Sequence, residues 1–122
     1  MHSPYKSKGG FSRLLNALRY SIRGLLAAFR HEAAFRQELI LAVVLVPVAL
    51  WIGQNAFEIT LLIGSLLFVL LIELLNSALE TLADTITTQH HPMIGKAKDL
   101  GSAAVLLALI MALLIWLGII LT

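Results

Sequence analysis

No cysteine occurs among the 122 residues, which excludes a disulfide framework and a thiolate metal site and leaves the redox compartment unread. Charge is scarce too: Asp, Glu, Lys and Arg make up 13% of the chain against 59% hydrophobic residues, far from the balance of a soluble domain. Neither a Gly-x-x-x-x-Gly-Lys-Ser/Thr phosphate loop nor a Gly-x-Gly-x-x-Gly turn is present, so a standard nucleotide fold is excluded. The N-terminus carries basic residues without a short apolar core and small-residue cleavage site, so no removable signal peptide is expected. What remains is one all-α membrane domain over residues 1–122, with the hydropathy concentrated in three blocks.

Residues 1–10 mix Pro, Gly, Ser and Lys and read as a flexible tail. From Phe11 the pattern turns helical. Phe11, Leu14, Leu15, Leu18, Ile22, Leu25, Leu26 and Phe29 fall within about 60° of one direction, with Arg19, Arg23 and Arg30 on a flank and Arg13 and Tyr20 opposite. Residues 11–31 are therefore expected as an N-terminal amphipathic surface helix. Its arginines suit anionic head groups, at roughly 1 kcal/mol each, or a phosphate-bearing ligand.

The charged junction at 31–38 holds no Gly or Pro, and the bend into the membrane is placed there. Three transmembrane helices follow, at about 33–52, 59–84 and 102–121. Pro47 is expected to kink the first, since the bond to the Val43 carbonyl is lost. The sequence predicts a polar turn over 53–58 and a cytoplasmic loop over 85–102, with Asp99 or Ser102 as a simple helix cap. Ala104, Ala108 and Ala112 repeat every fourth position, a small-residue face for close helix approach.

All nine basic residues lie before the first span, at its start (Arg36), or between the second and third, which predicts a multi-pass protein with its N-terminus in the cytoplasm and its C-terminus outside. Trp51 and Trp116 fall near the opposite ends of their spans, as interfacial anchors would. Every acidic residue except Glu58, and all four histidines, belong to the cytoplasmic half. A transporter would spread polar groups along a route to both faces. An enzyme acting on a lipid head group needs them at one face, and the enzyme reading gains. A nucleic-acid partner is not expected.

The second span carries polar groups where a bilayer helix should have none. Taking Glu73 as zero at about 100° per residue, Asn76 falls near −60°, Ser77 near +40°, Glu80 near −20° and Asp84 near +20°, all on one stripe. Unpaired charge in hydrocarbon costs several kcal/mol, so such residues face a bundle interior or wet cavity. The plain alternative is a hydrogen-bonded seam between helices. His90 and His91 are adjacent, poor spacing for two ligands of one zinc ion. Carboxylates such as Glu32 and Glu80 could hold Mg²⁺, a lysine such as Lys96 or Lys98 could offset phosphate charge, and a deeper carboxylate such as Glu73 could take a proton from a lipid hydroxyl.

At Glu73-Leu-Leu-Asn-Ser-Ala-Leu-Glu80, Lys96-Ala-Lys-Asp-Leu-Gly-Ser-Ala-Ala-Val105 and Glu32-Ala-Ala-Phe-Arg-Gln-Glu38 the chain resembles the prokaryotic diacylglycerol kinase family, over nearly all of its length from Phe11. The resemblance implies a homotrimer in the bacterial inner membrane. With active sites shared between protomers, it would transfer the γ-phosphoryl of MgATP to diacylglycerol and give phosphatidic acid. It implies Glu73 as general base, helped by Asn76, and Glu32 and Glu80 as Mg²⁺ ligands. Arg13, Tyr20, Gln89, His90, His91, Lys98 and Asp99 would contact ATP together with the metal-holding carboxylates. Arg13, Glu32, Ala34, Phe35, Arg36, Gln37, Glu38, Glu73 and Ser102 would border the lipid. Gln89-His90 departs from the acidic and aromatic residues usual before the histidine, and Ile22 replaces a frequent tryptophan. A related branch acts on undecaprenol with the same machinery.

Overall fold

The computed structural model describes residues 9–122, all in helices and short connections, so the tail expectation for residues 1–8 lies outside it. Four helices follow in order: α1 (Gly10–His31), α2 (Ala33–Ile52), α3 (Ala56–Ile86) and α4 (Pro92–Ile120). The last three are each long and apolar enough to cross a membrane.

The bend between α1 and α2 takes a single residue. Glu32, at φ −114° and ψ 106°, ends one helix and begins the next. Because no Gly or Pro breaks the chain there, the corner is held from outside the backbone. The Arg36 guanidinium donates from Nη1 to the carbonyls of Phe29 at 2.9 Å and Arg30 at 3.0 Å, the groups that the end of α1 leaves unsatisfied. A cation at this helix terminus also complements the macrodipole. Phe35, only 2% exposed, fixes the other side of the corner in the core. Ala28 is the one buried residue of α1, so the rest of its apolar stripe is left for the membrane surface.

Pro47 lies inside a helix that runs unbroken from Ala33 to Ile52. At the far turn, the Asn55 side chain accepts from the Glu58 amide at 2.9 Å, while Glu58 Oε1 accepts from the Gln54 amide at 3.0 Å. That reciprocal capping starts α3 at Ala56 and gives Glu58, the acidic residue of its first turn, a local structural role. The inward stripe of α3 is Leu62, Ser65, Val69, Glu73 and Ser77, at helical spacing.

The expected loop over 85–102 is much shorter, since α4 begins at Pro92. His91 caps it, Nδ1 accepting from the Met93 amide at 3.1 Å, and Pro92 occupies the first turn, where its missing N–H costs nothing. Asp99 and Ser102 are thus interior helical positions, and neither is the cap. With 29 residues α4 is about 43 Å long, so its first ten residues stand clear of a hydrocarbon core of about 30 Å. Of the alanine repeat, Ala108 is buried, Ala112 half-buried and Ala104 exposed.

The two tryptophans part company. Trp51 is 84% exposed, as an interfacial anchor would be. Trp116 is half-buried and donates its Nε1–H to Ser65 Oγ at 3.0 Å, so its polar handle ties α4 to α3 instead of seeking head groups.

Candidate active site

The stripe on α3 meets α2 at its deepest member. Glu73 is 6% exposed, and its carboxyl faces the Glu38 carboxyl of α2 as a side-chain hydrogen-bonding partner. Two carboxyls can bond only when one of them holds a proton, and Glu38 Oε2 is buried without a donor. Glu80 and Glu32 both act electrostatically on Glu73, so four carboxyls from the α1–α2 corner, α2 and α3 share one neighbourhood. An apolar bundle tolerates such a gathering of like charge only for a proton, a cation or a function.

Asn76 bridges the stripe. Its Nδ2 donates to Glu80 Oε1 at 3.4 Å one turn on, and its Oδ1 is buried without a hydrogen-bond donor. Ser77, also on the stripe, is buried. A groove of about 840 Å³ opens between α1 and α3, walled by Ser21, His31, Glu32, Ser77 and Thr81 among others, and it gives the Glu32 side access from the surface.

Toward water, Lys98 Nζ donates to Asp84 Oδ1 at 2.6 Å, joining α4 to the end of α3. Lys98 precedes the apolar part of α4, and the Asp84 carboxylate beside it holds the ammonium's pKa above the ordinary lysine value. Asp84 was left out of the expected ligand set, yet it fixes a residue inside it. A smaller cavity of about 320 Å³ collects Thr87, Gln89, His90, His91 and Lys98, so the connecting residues and the lysine do converge. The Gln89 backbone N–H donates to Thr87 Oγ1 at 3.0 Å. With His91 Nδ1 spent on the helix cap, only its Nε2 side is left to face a ligand.

Other expected site residues fall elsewhere. Phe35 is a core side chain and Arg36 is engaged at the α1 terminus, whereas Ala34, Gln37, Asp99 and Ser102 are exposed in the protomer. Arg13 and Tyr20 ride on α1, Tyr20 with the Arg23 guanidinium 5.7 Å over its ring. Arg13 lies about 28 Å from Glu32 along the helix axis and Tyr20 about 18 Å. A single protomer therefore joins the carboxylates to Lys98 through Glu80, which acts electrostatically on both Glu73 and Lys98, while Arg13 stays remote from Glu32.

Comparison with known proteins agrees with the motifs. The family model described as prokaryotic diacylglycerol kinase matches residues 19–120. A diacylglycerol kinase of Haemophilus influenzae is 46% identical over 115 residues, covering 94% of this chain and 97% of that protein. One from Pseudomonas aeruginosa is 47% identical over 119 residues, covering 98% and 97%. One from Escherichia coli K12 is 46% identical over 107 residues, 88% of each. A buried carboxylate on an apolar helix, three helices apolar and long enough to span a membrane, and 46–47% identity to these enzymes over nearly the whole length lead to one conclusion: the chain belongs to the prokaryotic diacylglycerol kinase family.

Proposed function

We propose that this protein transfers the γ-phosphoryl group of MgATP to the primary hydroxyl of diacylglycerol at the cytoplasmic face of the bacterial inner membrane. The observation that carries the reading is Glu73: a buried carboxylate within the apolar length of α3, against a second carboxyl, in a chain whose relatives are named diacylglycerol kinases. Glu73 accepts the hydroxyl proton as the lipid oxygen attacks the γ-phosphorus; the bond to the β-phosphate oxygen breaks and ADP leaves with that electron pair. A positioned base of this kind is worth about 10²–10⁴ in rate. Asn76 orients the Glu80 carboxylate through its amide. Lys98 and Asp99, with Gln89, His90 and His91, bind the nucleotide, and Lys98 exchanges Asp84 for phosphate oxygens.

Glu32 and Glu80 would hold Mg²⁺, and the donor set fits. No group of three or more His, Cys, Asp or Glu able to hold a metal occurs among the described residues, so a closed protein cage is not offered. Mg²⁺ is commonly bound through one or two carboxylates plus substrate phosphates. When bound, the ion neutralises charge on the transferring group.

Arg13 and Glu32 are farther apart along α1 than one nucleotide reaches, so a site that uses both draws them from different copies. This supports active sites shared between copies, as in the homotrimer that the family resemblance implies. Residues 32–38 with Arg13 and Ser102 border the lipid, Arg36 and Phe35 by shaping the corner on which Glu38 stands. All nine basic residues on one side of the spans support a cytoplasmic N-terminus.

The test is purified protein in mixed micelles with MgATP, offered diacylglycerol and undecaprenol in parallel. Faster phosphorylation of diacylglycerol is expected. Preference for undecaprenol would move the protein to the related branch, and inertness toward ATP with ion flux in vesicles would make it a transporter.

A further inference from the structure

We infer that Gly101 on α4 is a positioning residue for Asn76, its missing side chain being the slot that aims the Asn76 amide at Glu80. The inference rests on the proposed role of Asn76 and Glu80. A Cβ added at 101 would overlap Asn76 Oδ1, and would come to 3.4 Å from Asn76 Cγ and 3.7 Å from Leu79 Cδ1. The glycine is not needed for its backbone, because no residue described has a positive φ. Gly95 and Gly118 on the same helix have open space within 4 Å of an added Cβ, so crowding is particular to 101. Glycine weakens a helix interior, and one held there against its propensity calls for a packing reason.

The second observation is the amide itself. Asn76 Oδ1 is buried and accepts no hydrogen bond, although a buried polar atom normally finds a donor. It occupies the space that a Cβ on Gly101 would fill, so the bare glycine backbone is its neighbour. The opposite end, Nδ2, points to Glu80 Oε1 at 3.4 Å. Turning the amide over would set its oxygen against a carboxylate oxygen, two acceptors facing each other. Wedging Oδ1 against Gly101 therefore selects the orientation in which Nδ2 addresses Glu80. Any side chain at 101 pushes the amide out of that slot, and Glu80 loses its guide.

NMR, kinetics and metal binding test this. In the wild-type protein, NMR should show contact between the Gly101 α-protons and the Asn76 side-chain amide; its absence overturns the proposal without reference to any variant. Gly101→Ala should lower kcat by about tenfold to a hundredfold, as small displacements of reacting groups do, with little change in KM for lipid. It should also weaken Mn²⁺ binding, read by electron paramagnetic resonance with ATP present, and shift the Asn76 amide resonance. Gly118→Ala should match wild type. The double variant Gly101→Ala/Asn76→Ala should be no slower than Asn76→Ala alone. Full activity of Gly101→Ala beside an impaired Asn76→Ala overturns the positioning role only. Full activity of Asn76→Ala overturns the site reading and this inference with it, even if the NMR contact is present.

Discussion

Replacing Arg36 by alanine separates a corner-forming residue from a substrate-binding one. In the native protein two donor contacts of 2.9 and 3.0 Å satisfy the Phe29 and Arg30 carbonyls at the end of α1. A hydrogen bond to a charged group contributes about 1.5–3 kcal/mol, and a cation at a helix C-terminus about 0.3–1 kcal/mol. The two carbonyls recover water on truncation because the corner is open to solvent, so the low end applies and the net loss should be about 1–2 kcal/mol. The reporter is the Glu32 amide, which donates to the Ala28 carbonyl at 2.9 Å in the last bond of α1. Hydrogen exchange at this amide should accelerate about five- to thirtyfold, the factor that 1–2 kcal/mol represents. Arg36→Lys, able to reach one carbonyl at a time, should fall between. Unchanged exchange at Glu32 together with a raised KM for lipid would refute the corner role and return Arg36 to the lipid site.

Glu73→Gln should retain the helical fold and lose at least about a hundredfold in turnover, since span and volume persist while the proton acceptor goes; wild-type turnover would sink the base assignment. Glu80→Ala should raise the Mg²⁺ concentration needed for half-maximal rate several-fold, and an unmoved titration would count against its role as a ligand. Trp116→Phe removes the Nε1 donor from Ser65 while keeping most of the ring, so thermal stability should fall by about 1 kcal/mol, with a matching fall in Ser65→Ala and no additivity in the pair. Independent, additive losses would show that the bond contributes nothing.

Gly101 was within reach of sequence reasoning, and its role was not. A glycine in a helical stretch marks a packing constraint, but which side chain it admits depends on the register of α4 against α3. Arg36 likewise stood in a junction that reads as a solvated helix end, and its capping of α1 needs the chain to have turned. Trp116 near a span end fits an interfacial anchor by position; Ser65 one helix away makes it an interhelical tie. Gly95, Gly101 and the charges between 85 and 102 interrupt the apolar pattern without breaking the helix, which starts at the His91-Pro92 signal.

Three long apolar helices and an amphipathic N-terminal one are legible in the chain alone, because apolar periodicity and charge placement act over a few neighbouring residues and need no partner to be read. It also placed Glu73, Asn76, Ser77, Glu80 and Asp84 on one face, since α-helical geometry converts spacing into direction. What that face meets comes from the packing of the helices: Glu38 against Glu73, Lys98 against Asp84, and Gly101 under Asn76. Those pairings depend on the rotation and depth of one helix relative to the next, set by the whole packed interface at once and written in no single stretch of the chain.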